Sequence, residues 1–350
     1  MLIKSTNLSY STALILSTSK KTFEGMGKSI GLSGKAISKI LPSTDQTLLL
    51  LQSMAKSLFA NKRTLYLSID ETLIKKIYAA LAQGSGLFFD PGSRAEIHGY
   101  RLITGLLSDG KTEIPIGCGY LFATYITKLC KERFLTKFDF VKRFYNDVAM
   151  AFPNQKIILV ADGHYATVEI LTWCTKNNIP AEVRIHSNRI VIYQGNAIKL
   201  SQLLQVPGMK PSKRRMARTI KVEWHGLLLW ITIERRIDKH DEESFVFLVS
   251  TYKAEPRTHV KNYKKRWASE KKYRTTKQML GLGDCQSRKL TTQHKHSMSV
   301  LLAYGIAQLK RRKHRLKNTE EAIRRIREEC RDLKLSKCID LIGSLVSIMP

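Results

Sequence analysis

The first sixty residues read as helices separated by turn residues. Lys21 to Lys28, a break at Gly31 and then Ser33 to Leu41 predict two short helices around a turn. Ala36, Ile37 and Ile40 stand three and four apart and give the second helix one apolar face, with Lys28, Lys35 and Lys39 off it. Pro42 stops that helix. Ser43, Thr44 or Asp45 can cap the next, Gln46 to Ala60, whose Leu48 to Leu51 run is expected in a core.

At Arg63 the pattern changes to strand. Leu65 to Asp70 is β-rich and ends in a carboxylate, followed by Glu71. His98 to Leu107 and Glu113 to Phe122 predict two more strands about the turn Ser108-Asp109-Gly110-Lys111, hence a three-stranded antiparallel meander beginning with the Asp70 strand. Phe138 to Phe152 returns to helical spacing, with Phe140, Val141, Phe144, Val148 and Ala151 on one side. Ile157 to Ala161 is a continuous apolar run, expected of a strand covered on both faces, and it runs into Asp162. A helix over Thr167 to Asn177 and a strand over Ala181 to Ile185 follow. Between about 190 and 244 lies a β-rich insertion. Lys210 to Arg218 is a loop, and Thr219 to Trp224 and Leu227 to Arg236 flank the hairpin turn His225-Gly226. Phe245 to Thr251 is the strand after it. Ser297 to Leu309 is an apolar helix running into a basic stretch, and Thr319-Glu320-Glu321 opens a further helix rich in arginine.

Charge changes the picture most. The 350 residues carry 59 Lys and Arg against 29 Asp and Glu, a net charge of +30. A surplus of that size suits a polyanion, nucleic acid first and an anionic membrane surface second. The paired N-terminal helices then read either as a helix-turn-helix or as an ordinary small helical bundle. Cys118, Cys130, Cys174, Cys285, Cys330 and Cys338 form no metal-type spacing and read as reduced core residues. His294 and His296 read as surface histidines. No apolar run is long enough to span a bilayer and no signal-peptide core follows Lys4, so the expectation is an intracellular, soluble protein.

The candidate chemistry centres on Tyr263 to Lys277, which reads as one helix. At about 100° per residue, Tyr263, Arg266, Glu270 and Lys277 fall within roughly 60° of one another. One narrow face thus carries a phenol, a guanidinium, a carboxylate and an ammonium, set out for a metal or for acid–base work beside an anion.

Tyr, two residues, Arg, three, Glu, six, Lys resembles the signature of DDE transposases of the insertion-sequence-4 family. The order strand-strand-strand-helix-strand-helix-strand upstream resembles the RNase H-like α/β core of that family, with flanking helices and a β-rich insertion before the glutamate helix. The resemblance implies that Asp70, Asp162 and Glu270 are the catalytic metal ligands, and that Tyr263, Arg266 and Lys277 contact DNA near the cut. His164 and Tyr165 resemble the segment after the second aspartate, and Glu71 is a candidate supporting acid. Three carboxylates brought together need cations, and oxygen-only ligation selects Mg²⁺ or Mn²⁺. The activity implied is cutting at terminal inverted repeats and transfer of 3′-hydroxyl ends into target DNA, by a homodimer in a synaptic complex, in a bacterial-type cytoplasm on the nucleoid. Trp224 and Trp230 are open to two readings, hairpin packing or stacking on an unpaired base. The domains expected are a helical DNA-binding region over 1–62, a catalytic domain over 63–290 with its insertion at 190–244, and a basic helical region over 291–350. Another RNase H-like nuclease, or a non-catalytic nucleic-acid-binding protein, fits the same composition.

Overall fold

The computed structural model describes residues 6–77, 82–130 and 133–347; Lys4 and the side chain of Cys130 lie outside what it describes. Two compact units emerge. One gathers residues 1–62, 71–140 and 269–350, the other residues 63–70 and 141–268.

The first unit opens with helices α1 (Thr6–Leu16), α2 (Phe23–Ile30), α3 (Gly34–Lys39) and α4 (Thr44–Phe59). The punctuation expected from the sequence is in place. Gly31 ends α2 at φ 72°, a left-handed conformation that glycine adopts at no steric cost. Ser33 caps α3, and Ser43 with Gln46 forms a reciprocal capping box on α4. Strand β1 (Thr64–Lys75) gives its first half to the second unit and its remainder to this one. Then come β2 (Gly86–Asp90), β3 (Ala95–Ser108) and β4 (Glu113–Leu121). β3 runs antiparallel to β4 over Arg101–Ser108 and to β2 over Ala95–Gly99, and lies beside β1. The expected meander is therefore present, with β2 added to it. After α5 (Thr124–Cys130), Phe140 opens the buried side of α6 (Lys137–Ala151) and presses on Gly119. A methyl built on Gly119 would lie 2.2 Å from the Phe140 ring, so only glycine allows this approach.

In the second unit, Val141, Phe144 and Val148 of α6 are buried, and β5 (Lys156–Ala161) is covered from its second residue onward. α7 (Val168–Lys176) and β6 (Ala181–Ile185) follow. β5 pairs in parallel with both β1 and β6. The insertion forms β7 (Ile190–Tyr193), β8 (Asn196–Lys199), β9 (Ala217–Trp224) and β10 (Leu227–Ile237), and β11 (Glu243–Ser250) returns against β6. The sheet of this unit runs β1-β5-β6-β11-β10-β9-β7-β8. His225 and Gly226 both take positive φ, 48° and 75°, as a two-residue hairpin whose twist matches its strands requires. The element order and the parallel β1-β5-β6 core are those of an RNase H-like α/β fold.

The end of the second unit departs from expectation. The stretch from Tyr263 is not one helix: α8 (Pro256–Tyr263) gives way to a 3₁₀ turn at Lys264–Arg266 before α9 (Trp267–Met279). Pro256 starts α8 earlier than the residue pattern suggested, at a position where its missing N–H costs nothing. The chain closes in the first unit with α10 (Leu290–Lys313), α11 (Thr319–Glu329) and α12 (Leu335–Ser347). α10 is buried almost along its length, which corrects the surface placement of its histidines. His296 is wholly buried, bonded to the Tyr10 hydroxyl at 2.8 Å and to Gly281 O at 2.9 Å, and His294 is half-buried. Five cysteines, Cys118, Cys174, Cys285, Cys330 and Cys338, are free and buried.

Candidate active site

Asp70 and Asp162 meet through strand register. β1 and β5 run parallel with Ile69 opposite Ala161, so the next residue on each strand is an aspartate. Neighbouring strands lie about 4.8 Å apart, and side chains alternate with period two, so both acids leave the same edge on the same face. Asp162 keeps this direction, because its backbone is still extended at φ −80°, ψ −177°. Its Oδ1 accepts the His164 N–H at 2.9 Å, which fixes the carboxylate at the head of the 3₁₀ turn Gly163–Tyr165. Asp70 is buried, with 8% of its surface exposed.

The 3₁₀ turn after α8 supplies the opposing charge. In a 3₁₀ helix residues three apart eclipse one another, so Tyr263 and Arg266 stack directly. The Arg266 guanidinium lies 5.6 Å from the Tyr263 ring centre, and its Nη1 is 3.9 Å from Asp70 Oδ2. The Tyr263 ring is buried against Val246, Leu248 and Val260. Burial pushes its hydroxyl's pKa up; hydrogen bonding and charge from Arg266, and charge from Arg184, work against this, while Asp162 adds to it. Charge from Arg266, Arg184 and Asp162 thus all acts on that one phenol. Arg184 had no part in the sequence reading. Its only signal was a cation two residues after Glu182 in the short strand β6.

A buried polar network sets the angle of α8. His259 and Glu182 are fully buried and hydrogen-bonded to each other. His259 Nε2 accepts the Ala254 N–H at 3.1 Å, so Nδ1 carries the ring proton and faces Glu182 and Ser250. Tyr252 donates to Glu182 at 2.7 Å, Asn262 donates to the Tyr252 hydroxyl at 2.9 Å, and Tyr66 donates to Asn262 at 3.1 Å. The chain of bonds begins on β6 and ends on β1, four residues before Asp70. It ties the helix that presents Arg266 to the strand that presents Asp70.

The other expected residues belong to the first unit. Glu270 is exposed in the first turn of α9. Lys277, two turns further on, donates to Leu73 O on β1 at 3.1 Å, and burial lowers its pKa. Glu71 is held by Lys137 at 2.9 Å and Arg101 at 3.7 Å. Lys272 is fully buried, bonded to Thr104, with its ammonium 3.8 Å from the Tyr273 ring centre. Nothing in the residue pattern marks this cation, because a lysine on a basic helix reads as solvated. Of the two tryptophans, Trp224 is buried and Trp230 lies under the Lys253 ammonium. Within each unit, among the described residues, no three carboxylate, imidazole or thiol groups are gathered to hold a metal ion. The Asp70–Asp162 pair nonetheless fits a hard divalent cation: its donors are all oxygen, and a cationic side chain already stands against one of them.

Two acids on neighbouring parallel strands, with an arginine close to one of them, thus stand on an RNase H-like core. Residues 141–306, just under half of the chain, match the family described as transposase DDE domain, and this supports a DDE transposase. Asp162, Tyr263, Arg266, Glu270 and Lys277 fall inside the matched stretch, and Asp70 precedes it. No curated protein matches the chain. No helix among the described residues is long and apolar enough to cross a membrane.

Proposed function

We propose that the chain is a DNA transposase of the insertion-sequence-4 kind, with Asp70, Asp162 and Glu270 as its catalytic acids. The observation that carries this reading is the Asp70–Asp162 pair, each one residue past the last paired position of the parallel strands β1 and β5, with Arg266 3.9 Å from Asp70. Those acids would hold Mg²⁺ or Mn²⁺, which when bound supplies Lewis acidity and lowers the pKa of water. The chain's own residues bind and orient. Arg266 offers a planar fork to the non-bridging oxygens of the scissile phosphate, and the Tyr263 hydroxyl holds that fork in place. Asp162, pinned by the His164 N–H, keeps its carboxylate aimed outward from the strand edge. Lys277 adds positive charge for the flanking phosphate.

Hydrolysis breaks one P–O bond and forms another, releasing a 3′-hydroxyl. That hydroxyl then attacks a target phosphodiester, whose own 3′-oxygen leaves, so each bond broken is matched by one formed. The substrates are the terminal inverted repeats of the element and a target duplex. A homodimer would pair the two ends in a cytoplasmic, nucleoid-associated complex. The test is nicking of a duplex carrying the element's ends, with Mg²⁺ added. Glu270→Ala is expected to bind the duplex and not cut it. A Glu270→Ala protein that cuts at the parent rate would sink the assignment.

A further inference from the structure

The second unit contains a cleft of about 820 Å³ that the acidic pair does not use, between the end of β10 and the outer face of α8 with its 3₁₀ turn. Six cationic side chains and one carboxylate line it. The carboxylate, Glu234, is already shared by Arg236 at 2.6 Å and Lys264 at 3.3 Å. Arg257 and Lys261 are exposed and pair with no carboxylate among the described residues. Arg235 pairs with Glu243 outside the lining, so the cations of this concave surface outnumber the carboxylates that meet them. Such an arrangement repels itself unless an anion enters.

α8 divides its roles by face. His259, Asn262 and Tyr263 point into the protein, while Arg257, Lys261 and Lys264 recur at helical spacing on the side lining the cleft. At 1.5 Å per residue the row spans about 10 Å, the axial rise of about three nucleotides on one DNA strand. Two residues beyond Lys264 comes Arg266, set against Asp70. The cleft floor is apolar, from Met216, Ile237 and Val260, and no aromatic ring lines it. It can pack deoxyribose and grip phosphate, but it has nothing on which a base could stack.

We propose that this cleft is a backbone-binding channel for DNA, seating the phosphates that adjoin the scissile one. This deepens the function proposed above and rests on it for the identity of the strand. The channel reads no sequence: its contacts go to phosphates, which position a duplex without specifying it.

The test measures affinity for a fluorescein-labelled DNA duplex against salt, in EDTA, by anisotropy. Each phosphate contact contributes a slope of about −0.9 in log K against log salt. The double variant Arg257→Ala, Lys261→Ala is expected to bind with a slope shallower by about 1.8. A control removing the same charge at the start of α12, Lys334→Ala just before it with Lys337→Ala in its first turn, is expected to keep the parent slope. All of these side chains are exposed, so the variants should melt with the parent, and melting curves check this. An unchanged slope in the α8 variant, or an equal fall in the control, overturns the channel. Asp70→Asn separates the two proposals. Loss of nicking with the parent slope supports the active site, whereas nicking at the parent rate would remove the site and leave the channel result standing.

Discussion

Arg266 Nη1 stands 3.9 Å from Asp70 Oδ2, with 13% and 11% of the two side chains exposed. The separation is too long for a hydrogen bond and short enough for strong attraction where water is largely excluded. The arginine sets a positive charge against an acid whose strand neighbour is Asp162. In the proposed function, a divalent cation would share this charge-balancing role.

Arg266→Ala is therefore expected to destabilise the metal-free protein by roughly 2 kcal/mol, since it removes a nearby cation from a mostly buried carboxylate. Mg²⁺ should then raise the melting temperature of Arg266→Ala more than that of the parent. Thermal unfolding with and without Mg²⁺ measures both terms. Equal Mg²⁺ shifts in the two proteins would show that arginine and metal do not share the acid.

The run into Asp162 ends where the sequence suggested, whereas β1 does not stop at Asp70 but continues to Lys75; it is the parallel register that sets the two acids side by side. The helix signature was legible as a spacing but not as a shape. A wheel drawn at one angle per residue cannot show the 3₁₀ turn at Lys264–Arg266, since each residue there is a good helix former. Burial of Tyr263 among Val246, Leu248 and Val260 goes with that break, and it is a tertiary contact. β2 was missed because its apolar residues Leu87 and Phe89 point to solvent, reversing the usual rule. His296 was misplaced because histidine counts as polar in any periodicity, although the helix around it is enclosed.

The Glu182–His259 network should behave as one unit. Glu182→Ala removes the acceptor for Tyr252 and leaves His259 and Ser250 without a shared partner in a fully buried place. The expected loss is about 3 kcal/mol in urea unfolding, since each stranded polar group costs roughly 1–3 kcal/mol. Adding His259→Ala to Glu182→Ala should cost much less than the two changes summed. Additive losses would mean that the bonds are independent and that α8 is held by packing alone.

His296 makes stability depend on pH. Burial, the largest cause, lowers its pKa to about 4, with the Gly281 carbonyl opposing the shift. The unfolded imidazole keeps its ordinary value near 6.5, so between about 4 and 6.5 the unfolded chain binds more protons. Stability from this residue is complete above that window and is lost as the pH falls through it, by about 3 kcal/mol. His296→Gln removes the titration. Unfolding measured from pH 7 to 4 should fall more steeply for the parent than for the variant, and parallel curves would refute the assignment.

Tyr263 separates structure from function most cleanly. Its ring fills a core with Val246, Leu248 and Val260, and its hydroxyl is hydrogen-bonded to Arg266. Tyr263→Phe keeps the ring and deletes only the hydroxyl, so stability should stay within about 1 kcal/mol of the parent. The guanidinium then loses one of the groups that orient it, which in the proposed function would aim it at the phosphate. Misplacing a positioning group by about 1 Å can cost on the order of 10²-fold in rate, so cutting should slow by one to two orders of magnitude with DNA affinity nearly unchanged. Tyr263→Ala should instead lose about 3–5 kcal/mol of stability, as large-to-small changes at buried aromatics do. The decisive comparison is the cutting rate at saturating DNA for Tyr263→Phe against its melting temperature. A variant that melts early and, once folded, cuts at the parent rate would make Tyr263 a core residue and nothing more.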